Sequence, residues 1–194
     1  MDLSAIGYTP KDFRVIQIHD KPLIQDFLGG KFKVLAIECN ARASYNSPIQ
    51  RRLKALFPSL AEEMNKVKPD PELLGTSSVS KIWKRSHGQL LIANMYISSG
   101  YGLGRSGDNQ SSEPVNRFSE KFLSASFDHL IKTLRRMKID PDRQIAVQRF
   151  YGGLGGVEWQ CVQNVLDAVC EKHRINILAY LPPDYDTNFV RGTQ

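Results

Sequence analysis

The chain is poor in cysteine. Only Cys39, Cys161 and Cys170 occur in 194 residues. An odd count with no Cys-x-x-Cys pair excludes a disulfide framework and offers neither a zinc knuckle nor a thioredoxin motif. Long apolar runs are also missing. Nothing approaches the roughly 18 residues of a membrane span, and the opening MDLSAIGYTPKDF holds no apolar stretch of signal-peptide length. These absences predict a reduced cytoplasmic compartment, away from membranes; a monomer is the separate expectation for a single domain. The four histidines, at 19, 87, 129 and 173, show no metal-ligand spacing, so neither a metal nor a cofactor is expected. Walker A, His-Glu-x-x-His and Gly-x-Ser-x-Gly motifs are absent. Gly102-x-Gly104-x-x-Gly107 spells the dinucleotide fingerprint, but Asp108 to Pro114 is a poor helix opening, so the spelling lacks its context.

What is present is an ordinary globular mixture with a basic balance. Lys and Arg number 26 against 20 Asp and Glu, a net charge of +6. That suits an anionic partner: nucleic acid, a nucleotide or a phosphorylated substrate. The charge is densest at Arg51-Arg52-x-Lys54 and at Lys132-x-x-Arg135-Arg136-x-Lys138. Both runs lie in amphipathic helical patterns, where a solvated face is the plain explanation.

Apolar periodicity divides the chain into alternating strands and helices. Residues 13–18 are rich in β-branched side chains and predict a strand. A short helix over 21–28 follows, with Asp20 as its N-cap and Gly29-Gly30 as its stop. KVLAIEC, residues 33–39, is apolar almost throughout, as in a strand covered on both faces. Ser47-x-x-Gln50 with Pro48 spells a capping box for a helix that buries Ile49, Leu53 and Leu56. Pro58 ends that helix. Ser59-x-x-Glu62 spells a second box, for a helix burying Leu60, Met64 and Val67. Residues 79–83 and 89–97 predict two strands around a turn at 85–88. Residues 98–114, rich in Gly, Ser and Asn, form the longest irregular segment. Residues 118–137 carry the most regular stripe: Leu123, Phe127, Leu130, Ile131, Leu134 and Met137. A strand at 144–150, a helix at 157–172 with Val162, Val165, Leu166, Val169 and Cys170 inward, and a strand at 175–181 complete the series. The alternation predicts a three-layer α/β/α sandwich with a mixed central sheet. No linker is visible, so residues 1–194 read as one domain, with a core over about 13–181 and a polar tail from 182.

Open α/β sheets bind ligands beyond the carboxyl ends of their strands, so the residues after each strand are the candidates. Gly152, Gly153, Leu154, Gly155 and Gly156 are the sharpest signal. Four glycines between a strand and a helix let the backbone approach a ligand and expose N–H groups that stabilise phosphate. A tight strand-to-helix turn explains one glycine, less easily four. Asp20 serves equally as a helix cap or as a carboxylate accepting a hydrogen bond from an amino group such as that of adenine. Asn40 is either a turn residue or an amide offered to a sugar hydroxyl. Ser98-Ser-Gly-Tyr-Gly102 and the segment from Leu181 onward also fall at strand ends.

Taken together, this order resembles the macro domain, the ADP-ribose-binding α/β/α family. The resemblance rests on Ile18-His-Asp20, on Leu35-Ala-Ile-Glu-Cys-Asn40 and its following helix, and above all on Ile145-Ala-Val-Gln-Arg-Phe-Tyr-Gly-Gly-Leu-Gly-Gly-Val-Glu-Trp159. It covers residues 13 to 181 and looks nearest the branch of ADP-ribosyl hydrolases and ADP-ribose-1″-phosphate phosphatases. It implies that Asp20 binds the adenine amino group and that Asn40 meets the distal ribose. Residues 152–156 would wrap the diphosphate, and Tyr180 would lie near the adenine. If the chain is an enzyme, Asn40 and the loop Ser44-Tyr45-Asn46 are the expected catalytic groups, the loop orienting a water. The partner would be ADP-ribose or an ADP-ribosylated macromolecule. The alternative is a non-catalytic module binding ADP-ribose or nucleic acid. The sequence departs from the family at His19, which replaces a glycine, and in residues 43–48, which lack the family's glycine cluster. Lys84 falls near a lysine nucleophile of one branch, but Gly155 stands where its acidic partner would be, so no covalent lysine intermediate is expected.

Overall fold

The computed structural model describes residues 12–43, 45–99, 118–150 and 157–181. Strand β1 (Val15–His19) leads to helix α1 (Leu23–Leu28), strand β2 (Val34–Asn40), helices α2 (Pro48–Leu56) and α3 (Pro58–Lys66), and a 3-10 turn at Pro71–Leu73. The hairpin β3 (Ser77–Lys84) and β4 (Gly88–Ser98) follows, then α4 (Glu120–Arg136), β5 (Ile145–Gln148), α5 (Trp159–His173) and β6 (Ile177–Leu181). The six strands lie in the order β1-β6-β5-β2-β4-β3. All neighbours are parallel except β3, which runs antiparallel to β4 at the sheet edge. This is the expected mixed sheet.

Two apolar clusters show why the sheet is covered twice. Successive strand residues point to opposite faces, and β2 is apolar on both. Val34 and Ala36 join Leu123, Phe127, Leu130, Ile131 and Leu134 of α4 and Val162, Val165, Leu166 and Val169 of α5. Leu35, Ile37 and Cys39 join Ile24 and Phe27 of α1, Leu53 of α2, and Leu60 and Met64 of α3. The stripe of α4 is buried as its spacing predicts, except that Met137 is half exposed past the helix end.

The helix starts differ in their fidelity to the pattern. At α2 both arms of the capping box form: the Ser47 amide donates to Gln50 Oε1 at 2.9 Å, and the Gln50 amide donates to Ser47 Oγ at 3.4 Å. Gln50 is itself fully buried and its Nε2 donates to the Glu38 carbonyl at 2.9 Å. The buried flank of α2 is therefore Gln50 and Leu53, while Leu56, which the apolar pattern also assigns to the core, is 45% exposed. Asp20 is not a cap. Helix α1 begins after Pro22, with no side-chain cap, and Asp20 sits earlier in the turn at φ +54. The box at Ser59 does not form either. Pro58 occupies the first turn of α3 with Phe57 at its N-cap, because proline's fixed φ and missing N–H suit that position.

Candidate functional site at the carboxyl edge of the sheet

The parallel strands place Asp20, Asn40, Ser98, Gln148 and Leu181 along one edge. A cleft of about 290 Å³ opens there, between the start of α1 (Pro22 to Gln25), the start of α2 (Pro48, Ile49 and Arg52) and Gln148 at the end of β5. Two short connections, each ending in a proline at or beside a helix start, set its walls.

The candidates from the sequence reach this edge in different ways. Asp20 is exposed in the β1–α1 turn, two residues before the cleft wall at Pro22. Asn40 is buried, 1% exposed, and opposite Ser98 across the β2–β4 ladder. Asn46 is exposed on the approach to α2. Ser44 and the whole glycine turn, Gly152, Gly153, Leu154, Gly155 and Gly156, lie outside the described residues.

Tyr45 and Tyr180 point inward. The Tyr45 ring belongs to the α1–α3 face of the core, and its hydroxyl meets the Tyr96 hydroxyl at 2.9 Å. Tyr96 also meets Ser78 Oγ at 3.1 Å, and Ser78 accepts from Asn94 Nδ2 at 3.1 Å. The phenols therefore sit in a satisfied chain of buried hydrogen bonds, and burial raises the Tyr96 hydroxyl above its ordinary range. Cys39, within reach of Gln50 and Asn94 in the same cluster, has its thiol pushed up by burial. A protonated buried thiol is not a nucleophile. The Tyr180 ring packs on Phe32 at 5.6 Å, and its hydroxyl donates to Asp26 Oδ2 at 3.0 Å. Burial, then the Asp26 carboxylate, raises it well above the usual phenol range. Tyr180 is in register with Gln148, a residue of the cleft wall.

Lys84 is elsewhere. Because β3 is antiparallel, its first residue Ser77 pairs near the carboxyl end of β4 and its last, Lys84, pairs with Gly88 at the amino end. Seven residue steps separate the two ends, about 23 Å of extended chain. Lys84 Nζ donates to the Leu28 carbonyl and ties the hairpin to the end of α1. Gly30, at φ +73, makes this approach possible: a Cβ there would come within 2.9 Å of the His87 ring.

The structure adds Arg149, Trp159 and Asp26, which the sequence pattern did not single out, and shows the state of Ser98, which it did. Among the described residues, four buried side-chain polar atoms have no hydrogen-bond partner: Gln89 Nε2, Ser98 Oγ, Arg149 Nε and Trp159 Nε1. Three of the four lie at the carboxyl edge. Ser98 closes β4, Arg149 follows β5, and Trp159 opens α5, so the last two bracket the glycine turn. Each buried unpaired donor costs about 1–3 kcal/mol, and three at one edge mark a place built to meet acceptors. The spelling of the glycine segment draws attention to its glycines and hides the flanking Arg149 and Trp159. Asp26 was missed as well: it is 7% exposed and accepts from both Tyr180 and Lys31. No group of three His, Cys, Asp or Glu among the described residues is placed to hold a metal ion. None of their helices is long and apolar enough to cross a membrane.

No protein-family model matches the sequence, and no curated protein matches it. Solved structures do. The macrodomain of Mycobacterium tuberculosis DarG is 18% identical, with a TM-score of 0.63 over 88% of this chain and 99% of that one. Thermosipho africanus DarTG in complex with ADP-ribose is 17% identical, with a TM-score of 0.63 over 86% of this chain and 42% of that longer one. The macro domain of ganglioside induced differentiation associated protein 2 is 11% identical, with a TM-score of 0.59 over 93% of this chain and 83% of that one. At these identities the likeness is one of fold, and the fold is that of the macrodomains.

Proposed function

We propose that this chain, a macrodomain in fold, binds ADP-ribose or an ADP-ribosyl derivative in the carboxyl-edge cleft and hydrolyses its ADP-ribosyl bond or removes its 1″-phosphate. The observation that carries the reading is that three buried donor atoms without a partner, Ser98 Oγ, Arg149 Nε and Trp159 Nε1, lie at the same carboxyl edge of the sheet as the cleft, beside its lining rather than in it. A diphosphate and a ribose are rich in acceptors, and these donors have none. The DarTG structure that shares the fold holds ADP-ribose, which supports the choice of ligand.

In this reading Asp20 accepts from the adenine amino group beside the start of α1. The backbone of residues 152–156, with Arg149, meets the diphosphate. Tyr180 holds the wall next to the adenine through Asp26. Asn40 holds a distal-ribose hydroxyl, and Ser44 and Asn46 orient the attacking water. General-base help and a fixed donor for developing charge are the two requirements of either hydrolysis. Tyr45 acts through position: its engaged hydroxyl anchors the loop that carries Ser44 and Asn46. That engagement also favours a second reading, a module that binds ADP-ribose without turning it over, because it withdraws one hydroxyl from the water.

Calorimetric titration with ADP-ribose tests the binding. Ser98→Ala deletes an unpartnered donor, so its thermal midpoint stays at the wild-type value while affinity falls about tenfold, the scale of one lost hydrogen bond to a charged ligand. Gly153→Val abolishes binding with the circular dichroism spectrum kept. A wild type that does not bind ADP-ribose refutes the reading. Binding without turnover of ADP-ribose-1″-phosphate or ADP-ribosylated protein selects the second.

A further inference from the structure

On the far side of the sheet from the cleft, the edge strand β3 carries a feature that ligand binding at the carboxyl edge does not use. Trp83 is 79% exposed. A large aromatic ring left in water near the end of a hairpin has no role in the core, and the other tryptophan, Trp159, is half buried against the α4–α5 cluster. Side chains two residues apart on a strand share a face. Val79 packs on the α4 side of the sheet, so Lys81 and Trp83 continue along that face, and Arg85 follows in the turn. All three are exposed.

Helix α4 adds charge to the same side. His129 Nδ1 meets Ser77 Oγ at 3.0 Å, which puts that flank of the helix against β3. Residues three and seven positions on from His129 lie on the same flank. They are Lys132 and Arg136, both exposed. The acid in this half of α4, Asp128, is turned toward α5, where Lys172 at 2.5 Å and His173 at 2.6 Å hold it. None of Lys81, Arg85, Lys132 and Arg136 has a carboxylate within ion-pair distance among the described residues. Helix and strand both run from the carboxyl edge toward the amino edge here, so the cations and the ring form a track about 20 Å long.

We propose that this track, Lys81, Trp83, Arg85, Lys132 and Arg136, is a docking surface for single-stranded nucleic acid. Unpaired cations neutralise phosphates, and an open indole face stacks an unpaired base without regard to its identity, the combination that single-strand binders use. A duplex keeps its bases stacked on one another and cannot use Trp83. The surface is independent of the cleft: it lies on the opposite face, toward the amino ends of the strands.

The test uses the full chain, a fluorescein-labelled oligothymidylate and a salt series, with anisotropy for affinity and intrinsic emission for Trp83. The strand is expected to bind, to quench tryptophan emission, and to weaken as salt rises. Trp83→Ala loses about tenfold in affinity and the quench, while Trp83→Phe recovers part of the affinity. Lys132→Glu with Arg136→Glu flattens the salt dependence by roughly 0.7 in log–log slope for each lost contact. ADP-ribose affinity, measured by calorimetry on every variant, stays at the wild-type value. The proposal is overturned if Trp83→Ala binds the strand as wild type does. It is also overturned if a duplex of the same length binds more tightly, or if phosphatidylserine vesicles bind and the oligonucleotide does not. Joint loss of strand and ADP-ribose binding in Trp83→Ala would place the strand in the cleft instead and overturn it too.

Discussion

Tyr45→Phe separates a core role from a catalytic one at a residue that the sequence places in the expected catalytic loop and whose hydroxyl is buried against Tyr96. The substitution removes the 2.9 Å bond between the Tyr45 and Tyr96 hydroxyls and leaves Tyr96 its bond to Ser78 at 3.1 Å. The partner is not stranded, so the cost is that of one net hydrogen bond, about 0.5–1.5 kcal/mol. For a chain of this size each kcal/mol moves the thermal midpoint by about 2–4 °C, and a fall of a few degrees is expected. Tyr96→Phe removes a hydroxyl that joins two neighbours and costs more, about 1–3 kcal/mol. The double variant falls short of the sum, because the two substitutions delete one shared bond. Differential scanning calorimetry gives all three values. ADP-ribose affinity and any turnover stay within about twofold of wild type, since a buried hydroxyl engaged with another phenol touches no ligand. Turnover that falls a hundredfold at an unchanged thermal midpoint would show that the hydroxyl works in the cleft, and the core assignment would be wrong.

Two further outcomes follow from the same geometry. The Asp26 carboxyl is held below its ordinary value of 3.8, first by its hydrogen bond from Lys31, with burial opposing and Tyr180 assisting. Its stabilisation is therefore complete above that value and is lost as the pH falls through the lower folded one. Urea midpoints taken between about pH 5 and 2 should drop less steeply for Asp26→Asn than for wild type; parallel curves would remove Asp26 from the acid limb. In turnover assays on both substrates, Asn40→Ala should lose on the order of 100-fold and Lys84→Ala should keep its rate, because Lys84 is tied to the Leu28 carbonyl at the opposite edge; the reverse order would relocate the reaction.

Local signals in the chain were enough for the elements that depend on near neighbours. In KVLAIEC the run Val34 to Ile37 is apolar and buried on both faces of the strand, so its place in the sheet interior follows from solvent exclusion alone. The stripe of α4 and the Ser47 capping box depend on spacings of three and four residues, and both form. The macrodomain resemblance was legible for the same reason: a strand, four glycines and a helix are adjacent in sequence.

What the structure decided was in part a contest between neighbouring signals and in larger part the work of partners far along the chain. Asp20 and Ser59 spell caps as well as Ser47 does, but Pro22 and Pro58 impose helix starts of their own. Tyr45 reads as a polar loop residue until Tyr96, 51 positions away, supplies a hydroxyl for it. Lys84 falls near a lysine nucleophile in a linear alignment, and the antiparallel course of β3 carries it to the edge opposite the cleft. That Ser98, Arg149 and Trp159 hold unpartnered donors cannot be read from the sequence, because a missing partner is a property of the surroundings. A side chain's hydrophobicity and backbone preference travel with the residue, whereas hydrogen-bond satisfaction and the edge of the sheet on which it lands exist only once distant segments have been brought together.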